Sequence, residues 1–268
     1  SPISFARIAE DVDSLAAAIL ELGIERGDHA GLIAENRYEW LLIDQTLAGL
    51  GIVDVPRGSD TTPMELQFIL AHSGCCVAFA DTEEVAKDLM AMKAELPKLE
   101  HIIVMADETK VEGTLALGNL VALGAKKKVA MAAKLQEARD AVQPSDLLTI
   151  VYTSGTTAEP KGVMLTHDNV ISNMRMVQSV LHVTESDSFL SVLPAWHMYE
   201  RMMDYLAFFS GGVLVYTDRR RLKEDLPKIK PTVFAAVPRV WEILHDGMVN
   251  HSLKLKGIPD GGHLLDAA

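Results

Sequence analysis

The 268 residues are 49% hydrophobic, enough to bury a sizeable core, and carry a formal net charge of −12. That balance excludes global disorder and speaks against a general nucleic-acid binder, which needs a basic surface. No apolar run reaches the ~18–20 residues of a membrane span, and "SPISFARIAEDVDS" has neither the basic start nor the apolar stretch of a signal peptide. The same segment lacks an initiator Met and enters helical periodicity at once, which points to a trimmed chain.

Phe5, Ile8, Val12, Leu15, Ala16 and Ile19 recur at helical spacing until "GIERGD" breaks the pattern. "HAGLIA" reads as a strand, and "NRYEWLLIDQTLAGLG" as a helix with Asn36 as N-cap and Gly51 near its end. "IVDVP" is a strand stopped by Pro56. "TPMELQFILAHSG" is a helix opened by Pro63 and stopped at Gly74. "CCVAFA" is a strand, "TEEVAKDLMAMKAEL" a helix and "HIIVMA" a strand. Cys75 and Cys76 are adjacent and cannot staple distant segments. They read as small buried hydrophobes in a reducing, cytoplasmic setting. Strands and helices alternate over about a hundred residues, the signature of parallel α/β layering. Residues 107–146 depart from it: "GAKKKVAMAAKLQEARDAVQPSD" reads as an exposed amphipathic helix with a solvated lysine face and a linker ending at Pro144.

"LLTIVYT" then reads as a buried strand delivering the chain to Thr153, with "SGTTAEPKG" as a loop and "VML" as a second short apolar run. "THDNVISNMRMVQSVL" reads as a helix capped by Thr166 or Asp168. Glycine lets a backbone approach phosphate closely, hydroxyls and N–H groups donate to its oxygens, and a lysine adds mobile charge. A Ser/Thr/Gly cluster alone is more often a plain loop. Pro-Lys-Gly at this spacing, straight after a buried strand, favours phosphate. A Walker A loop is excluded, because Pro160 stands where its second glycine belongs and Gly162 where its magnesium-binding hydroxyl belongs.

In "LPAWHMYER", a lone histidine beside Trp196 and Tyr199 is, on its own residues, more often structural than functional. Glu200 and Arg201 read as a structural pair on the following helix. "DRRRLKEDLPKIK" is interrupted by acids and reads as a solvated face, with peripheral contact to an anionic membrane as the alternative.

Residues 153–162 resemble the AMP-binding signature of the adenylate-forming superfamily, [ST]-S-G-[ST]-T-G-x-P-K-G, departing only at Ala158. "SGTTAEPKGVMLTH" is similar to the form found in bacterial long-chain fatty acid–CoA ligases. "SVLPAWHMYERMMDYLAFFSGGVLVY" resembles their second signature, L-P-x-x-H-x-x-E-R, and "KPTVFAAVPRVWEIL" the segment after it. The resemblance spans nearly all of residues 5–245, with the motifs in the family's order.

It implies an α/β fold, the layered β/α subdomains of the superfamily's large N-terminal domain, truncated. Residues 1–184 would form a first α/β subdomain with the phosphate loop. Residues 185–268 would start a second, with strands "FLSVL", "GVLVYT" and "TVFAAV". The small C-terminal domain would be absent. The implied reaction joins a fatty acid to coenzyme A through an acyl-adenylate, using ATP and Mg2+. Thr153, Ser154, Gly155, Thr156, Thr157 and Lys161 would hold the nucleotide phosphates, with Lys161 also catalytic, and His197 would lie in the acyl site beside a tunnel partly built by residues 198–209. The family's later nucleotide segments and C-terminal lysine are not found, so the chain reads as roughly the N-terminal half of a ligase, expected to be inactive alone. A truncated second sheet would leave an apolar edge that invites a homodimer. Two alternatives stay open: ligation to acyl-carrier protein or of another carboxylate, and a non-catalytic nucleotide- or acyl-binding module.

Overall fold

Strands β1 (His29–Ile33), β2 (Val53–Arg57), β3 (Val77–Ala80), β4 (His101–Val104), β5 (Leu115–Ala116), β6 (Leu147–Thr153) and β7 (Lys161–Thr166) share one sheet in the order β5-β4-β3-β1-β2-β6-β7. They are taken from a computed structural model that describes residues 2–153 and 160–255. Neighbours are parallel except for the antiparallel β6–β7 hairpin. Strands β8 (Ser188–Ser191) and β9 (Val213–Tyr216) pair in parallel as a second sheet.

The central strands are apolar throughout because both faces of the sheet are covered. Ala30, Leu32, Val77, Phe79 and Ile103 pack on one face beneath α1 (Phe5–Glu21), α2 (Tyr38–Leu50) and α5 (Leu117–Lys127). Their alternates Ile33, Ala78, Ala80, Ile102 and Val104 pack on the other, beneath α3 (Pro63–Ser73) and α4 (Glu83–Ala91). The period of two along each strand thus feeds two cores at once. Thr62 and Thr82 cap α3 and α4 through their hydroxyls, and α2 and α3 stop at Gly51 and Gly74, both with left-handed φ.

Several local expectations give way. Pro56 does not stop β2, which runs on to Arg57. Its missing N–H lies on the β6 side, where the β2–β6 register is held only at Asp54–Thr149, so no ladder bond to β1 is lost. Residues 107–146 hold β5 and two helices, α5 and α6 (Ala132–Asp140), rather than one exposed helix. Helix α5 packs so tightly on α1 that a Cβ at Gly124 would overlap the carbonyl oxygen of Ser14. The lysine run lies largely on the solvent side, with Lys127 paired to Glu21 at 2.6 Å. "TVFAAV" forms a single bridge, Phe189 to Val233, rather than a strand; Pro231 and Pro238 bracket it and restrict strand pairing.

Downstream, α7 (His167–Val180) starts in a capping box between Thr166 and Asn169, so Thr166 and not Asp168 is the cap. Helices α8 (Met198–Ser210), α9 (Leu222–Ile229) and α10 (Pro238–Leu255) surround the second sheet. Leu148 of β6, Val170 and Met174 of α7, Phe189 of β8 and Leu206 of α8 form a core between the two sheets. Among the described residues, no helix is long and apolar enough to cross a membrane.

A candidate functional site at the strand ends

The parallel strands place the loops after β1, β2 and β6 at one edge of the sheet, the end where open α/β sheets bind ligands. Thr153 ends β6 and Lys161 opens β7, and the two are register partners, both exposed at the mouth of the hairpin. The structure therefore brings these two predicted residues together. Ser154, Gly155, Thr156 and Thr157 lie outside the described residues.

The foot of this loop is pinned from two sides. The Tyr152 hydroxyl lies 2.6 Å from Nδ1 of His72 on α3. Its carbonyl oxygen accepts from Arg57 Nη1 at 3.2 Å, and Nη2 of the same guanidinium pairs with Glu65 at 2.5 Å. Arg57 therefore fixes the backbone one residue ahead of Thr153.

His197 sits at the N-cap of α8 with no side-chain cap bond. Partial burial lowers the basicity of its imidazole, and the nearby positive charge of Arg57 lowers it further. Neutral imidazole is thus the favoured form near pH 7. Arg57 relates to both predicted clusters: it bonds the foot of the phosphate loop, and its charge lowers the basicity of His197. The sequence reading missed it; an arginine at the end of a buried strand was the available signal.

Asn36 was expected to cap α2. The cap position belongs instead to Arg37, and Asn36 reaches across to the second sheet. Its Nδ2 donates to Leu193 O at 2.6 Å and Ser191 Oγ at 3.1 Å, and its Oδ1 accepts from Ala195 N at 2.7 Å. Beside it, Gly58 gives Trp196 its place: a Cβ there would come within 2.6 Å of the indole. A cleft of about 690 Å³ opens here, with Glu35, Asn36 and Asp60 on first-sheet loops facing Trp196, Arg219 and Arg220. Burial, then the neighbouring Asp60 and Asp81, push the Glu35 carboxyl up. Arg219 and Arg220, read from sequence as part of a solvated face, thus also line this cleft.

Glu200 and Arg201 are structural, yet they do not pair with each other. Glu200 accepts from Val192 N at 3.1 Å, and burial pushes its carboxyl up to about 7. Arg201 bonds Asp44 of α2 and, at 3.0 Å, Asp54 of β2, and stacks over Trp40 at 5.3 Å from the ring centroid. Tyr205 completes the knot by donating to Asp44 at 3.0 Å and accepting from Arg201 Nε at 3.0 Å. Burial raises the thiols of Cys75 and Cys76 to about 12 and about 11, and both are free. Thiolate chemistry is closed to them near pH 7.

Comparison with known proteins places the chain in a family. The chain is 30% identical over 260 residues to the Arabidopsis thaliana protein "Long-chain-fatty-acid--[acyl-carrier-protein] ligase AEE15, chloroplastic", covering 92% of this chain and 35% of that protein. It is 30% identical over 265 residues to "Long chain acyl-CoA synthetase 7, peroxisomal" of the same plant, covering 96% and 37%. The chain thus spans little more than a third of these relatives' length. Its fold matches a crystal structure of a long-chain-fatty-acid-CoA ligase (FadD1) from Archaeoglobus fulgidus with a TM-score of 0.75 at 24% identity, covering 90% of this chain and 46% of that one. The family model described as "AMP-binding enzyme" matches residues 1–263, and the chain belongs to that family.

Proposed function

We propose that a full-length ligase containing this chain activates a long-chain fatty acid with ATP and passes the acyl group to the thiol of coenzyme A. The observation that carries the reading is the pairing of Thr153 with Lys161 at the mouth of a loop whose foot Arg57 holds, one residue away. A phosphate held at that mouth and a carboxylate arriving along His197 would meet at one place. Both curated relatives are named for long-chain acyl activation.

In the first step a carboxylate oxygen bonds to the α-phosphorus of ATP and the bond to the bridging oxygen breaks, so pyrophosphate carries off its electron pair. Charge grows on oxygens around phosphorus, and positioned cations and N–H donors lower the barrier. Lys161, with Thr153 and the residues 154–157 it encloses, would hold the leaving phosphates. Mg2+ would arrive as part of the nucleotide substrate; among the described residues no three His, Cys, Asp or Glu side chains are grouped as a metal site. Neutral His197 would line the approach of the carboxylate rather than neutralise it. In the second step the thiol sulfur bonds to the acyl carbon, AMP leaves, and the thiol proton goes to solvent. Each methylene buried in an acyl tunnel would contribute about 0.8 kcal/mol, which would make length selection steep.

The relative named for acyl-carrier-protein ligation supports a second reading, in which the acceptor thiol is carried on a protein. Both readings share the first step. Isotope exchange between pyrophosphate and ATP, measured with acids of graded length, tests that step. Exchange that depends on a long-chain acid is expected, and exchange indifferent to the acid removes the reading. Supplying coenzyme A or acyl-carrier protein afterwards decides the acceptor.

A further inference from the structure

We propose that Asn36 is the positioning residue of the acyl site: from the end of β1 it sets the course of residues 193–197 and so the placement of Trp196 and His197. The inference rests on the reading of His197 as an acyl-site residue.

Leu193 and Ala195 flank Pro194, which has no N–H. Both flanking residues are buried, and among the described residues no strand runs beside them to take the carbonyl of one and the amide of the other. The carboxamide of Asn36 does so, its Nδ2 on Leu193 O at 2.6 Å and its Oδ1 on Ala195 N at 2.7 Å. It acts as a one-residue strand edge, and its second Nδ2 proton takes Ser191 Oγ at 3.1 Å. Immediately after, His197 N donates to Pro194 O at 3.0 Å, closing a turn, and Arg201 N donates to His197 O at 3.1 Å, starting α8. The side chain of His197 therefore leaves from a backbone whose path is fixed two residues earlier by Asn36. Gly58 bounds the same segment from the β2 side by admitting the Trp196 indole.

Only a primary amide at this reach offers one acceptor and two donors in one plane. Aspartate keeps the shape and the acceptor but turns an ionised oxygen toward the carbonyl of Leu193. Alanine removes all three bonds. Neither change touches Thr153 or Lys161, so the effect should fall on the acid and spare the nucleotide.

The test uses the full-length ligase with Asn36→Asp and Asn36→Ala. Amide hydrogen exchange is read on a peptide spanning 193–198, alongside pyrophosphate–ATP exchange kinetics. Faster hydrogen exchange at 193–198 is expected in both variants, with β6 unchanged. The KM for fatty acid should rise about tenfold and unequally with chain length, while the KM for ATP stays within about twofold. Wild-type kinetics in Asn36→Asp, or equal loss for ATP and acid, would overturn the proposal; so would unchanged protection at 193–198 in either variant. If Asn36→Ala does not fold, the near-isosteric Asn36→Asp decides alone. A wild-type enzyme without acid-dependent exchange would instead sink the functional reading, and hydrogen exchange would still decide whether Asn36 holds the segment.

Discussion

The junction around Arg201 and the hairpin mouth around Lys161 use polar residues in opposite ways. At the junction, Arg201, Asp44 and Tyr205 are fully enclosed and bonded to one another across two sheets. At the mouth, Thr153 and Lys161 are exposed, and among the described residues Lys161 has no ion-pair partner. A buried charge must be neutralised within the fold, whereas an exposed one is free to meet a ligand. Substitutions at the junction should therefore be read as stability, and substitutions at the mouth as rate.

The largest effect should come from Arg201→Leu, which strands two buried carboxylates and should cost about 3–5 kcal/mol in urea unfolding of the full-length ligase. Replacing Asp44 and Asp54 with apolar residues of similar size in the same chain should restore most of it. Failure to recover would mean that the knot stabilises through more than its own neutrality. Next, Lys161→Ala should slow adenylation by about 10²–10³-fold with melting unchanged, the scale for losing one charge-stabilising group. If fatty-acid binding weakened as much as turnover, Lys161 would belong with the junction residues.

Glu200 sharpens the comparison through pH. Its carboxyl is raised from 4.5 to about 7 in the folded protein. The folded state thus holds a proton that the unfolded state has already lost, and stability falls as pH rises between those values. At about 1.4 kcal/mol per pH unit, the loss across that window is on the order of 3 kcal/mol. Glu200→Gln should remove this slope and raise stability at pH 8, because an amide can still accept from Val192 N. A slope of unchanged size would place the titration elsewhere, with Asp204 the first candidate, since burial and the adjacent Glu200 raise its carboxyl strongly.

The smallest effect should be at His197. His197→Ala should keep melting and ATP affinity nearly intact and change kcat/KM for fatty acids by several-fold, unequally across chain lengths. A uniform loss at every length would instead identify a proton-transferring base. A large drop in melting would move His197 into the structural class.

Most of the layered fold was legible because helix stops and apolar strands are local signals. Pro63 and Gly74 bracket α3 as expected, whereas the strand, loop and second apolar run read around 147–165 gave no sign that they pair as a hairpin bringing Thr153 to Lys161. What escaped was long-range. Asn36 satisfies the composition rule for a cap, but its partners lie more than 150 residues away. Pro56 would end a strand paired on both sides, and only the one-point contact between β2 and β6 makes it tolerable. Glu200 and Arg201 are adjacent in sequence, but neighbours on a helix face different directions, so each found a partner on another element. The exposed helix expected over 107–146 escaped for the same reason: only α1 laid against α5 gives Gly124 its role.

The Arg201 knot also carries a consequence for synthesis. Asp44 and Asp54 leave the ribosome 157 and 147 residues before the guanidinium that neutralises them. At ordinary elongation rates of about 5–20 residues per second, that is roughly 10–30 s. Throughout that interval Asp44 of α2 and Asp54 of β2, both buried in the native fold, lack the guanidinium that neutralises them. The charge pairing that ties α2 and β2 to α8 can therefore form only after the chain has been made through Arg201.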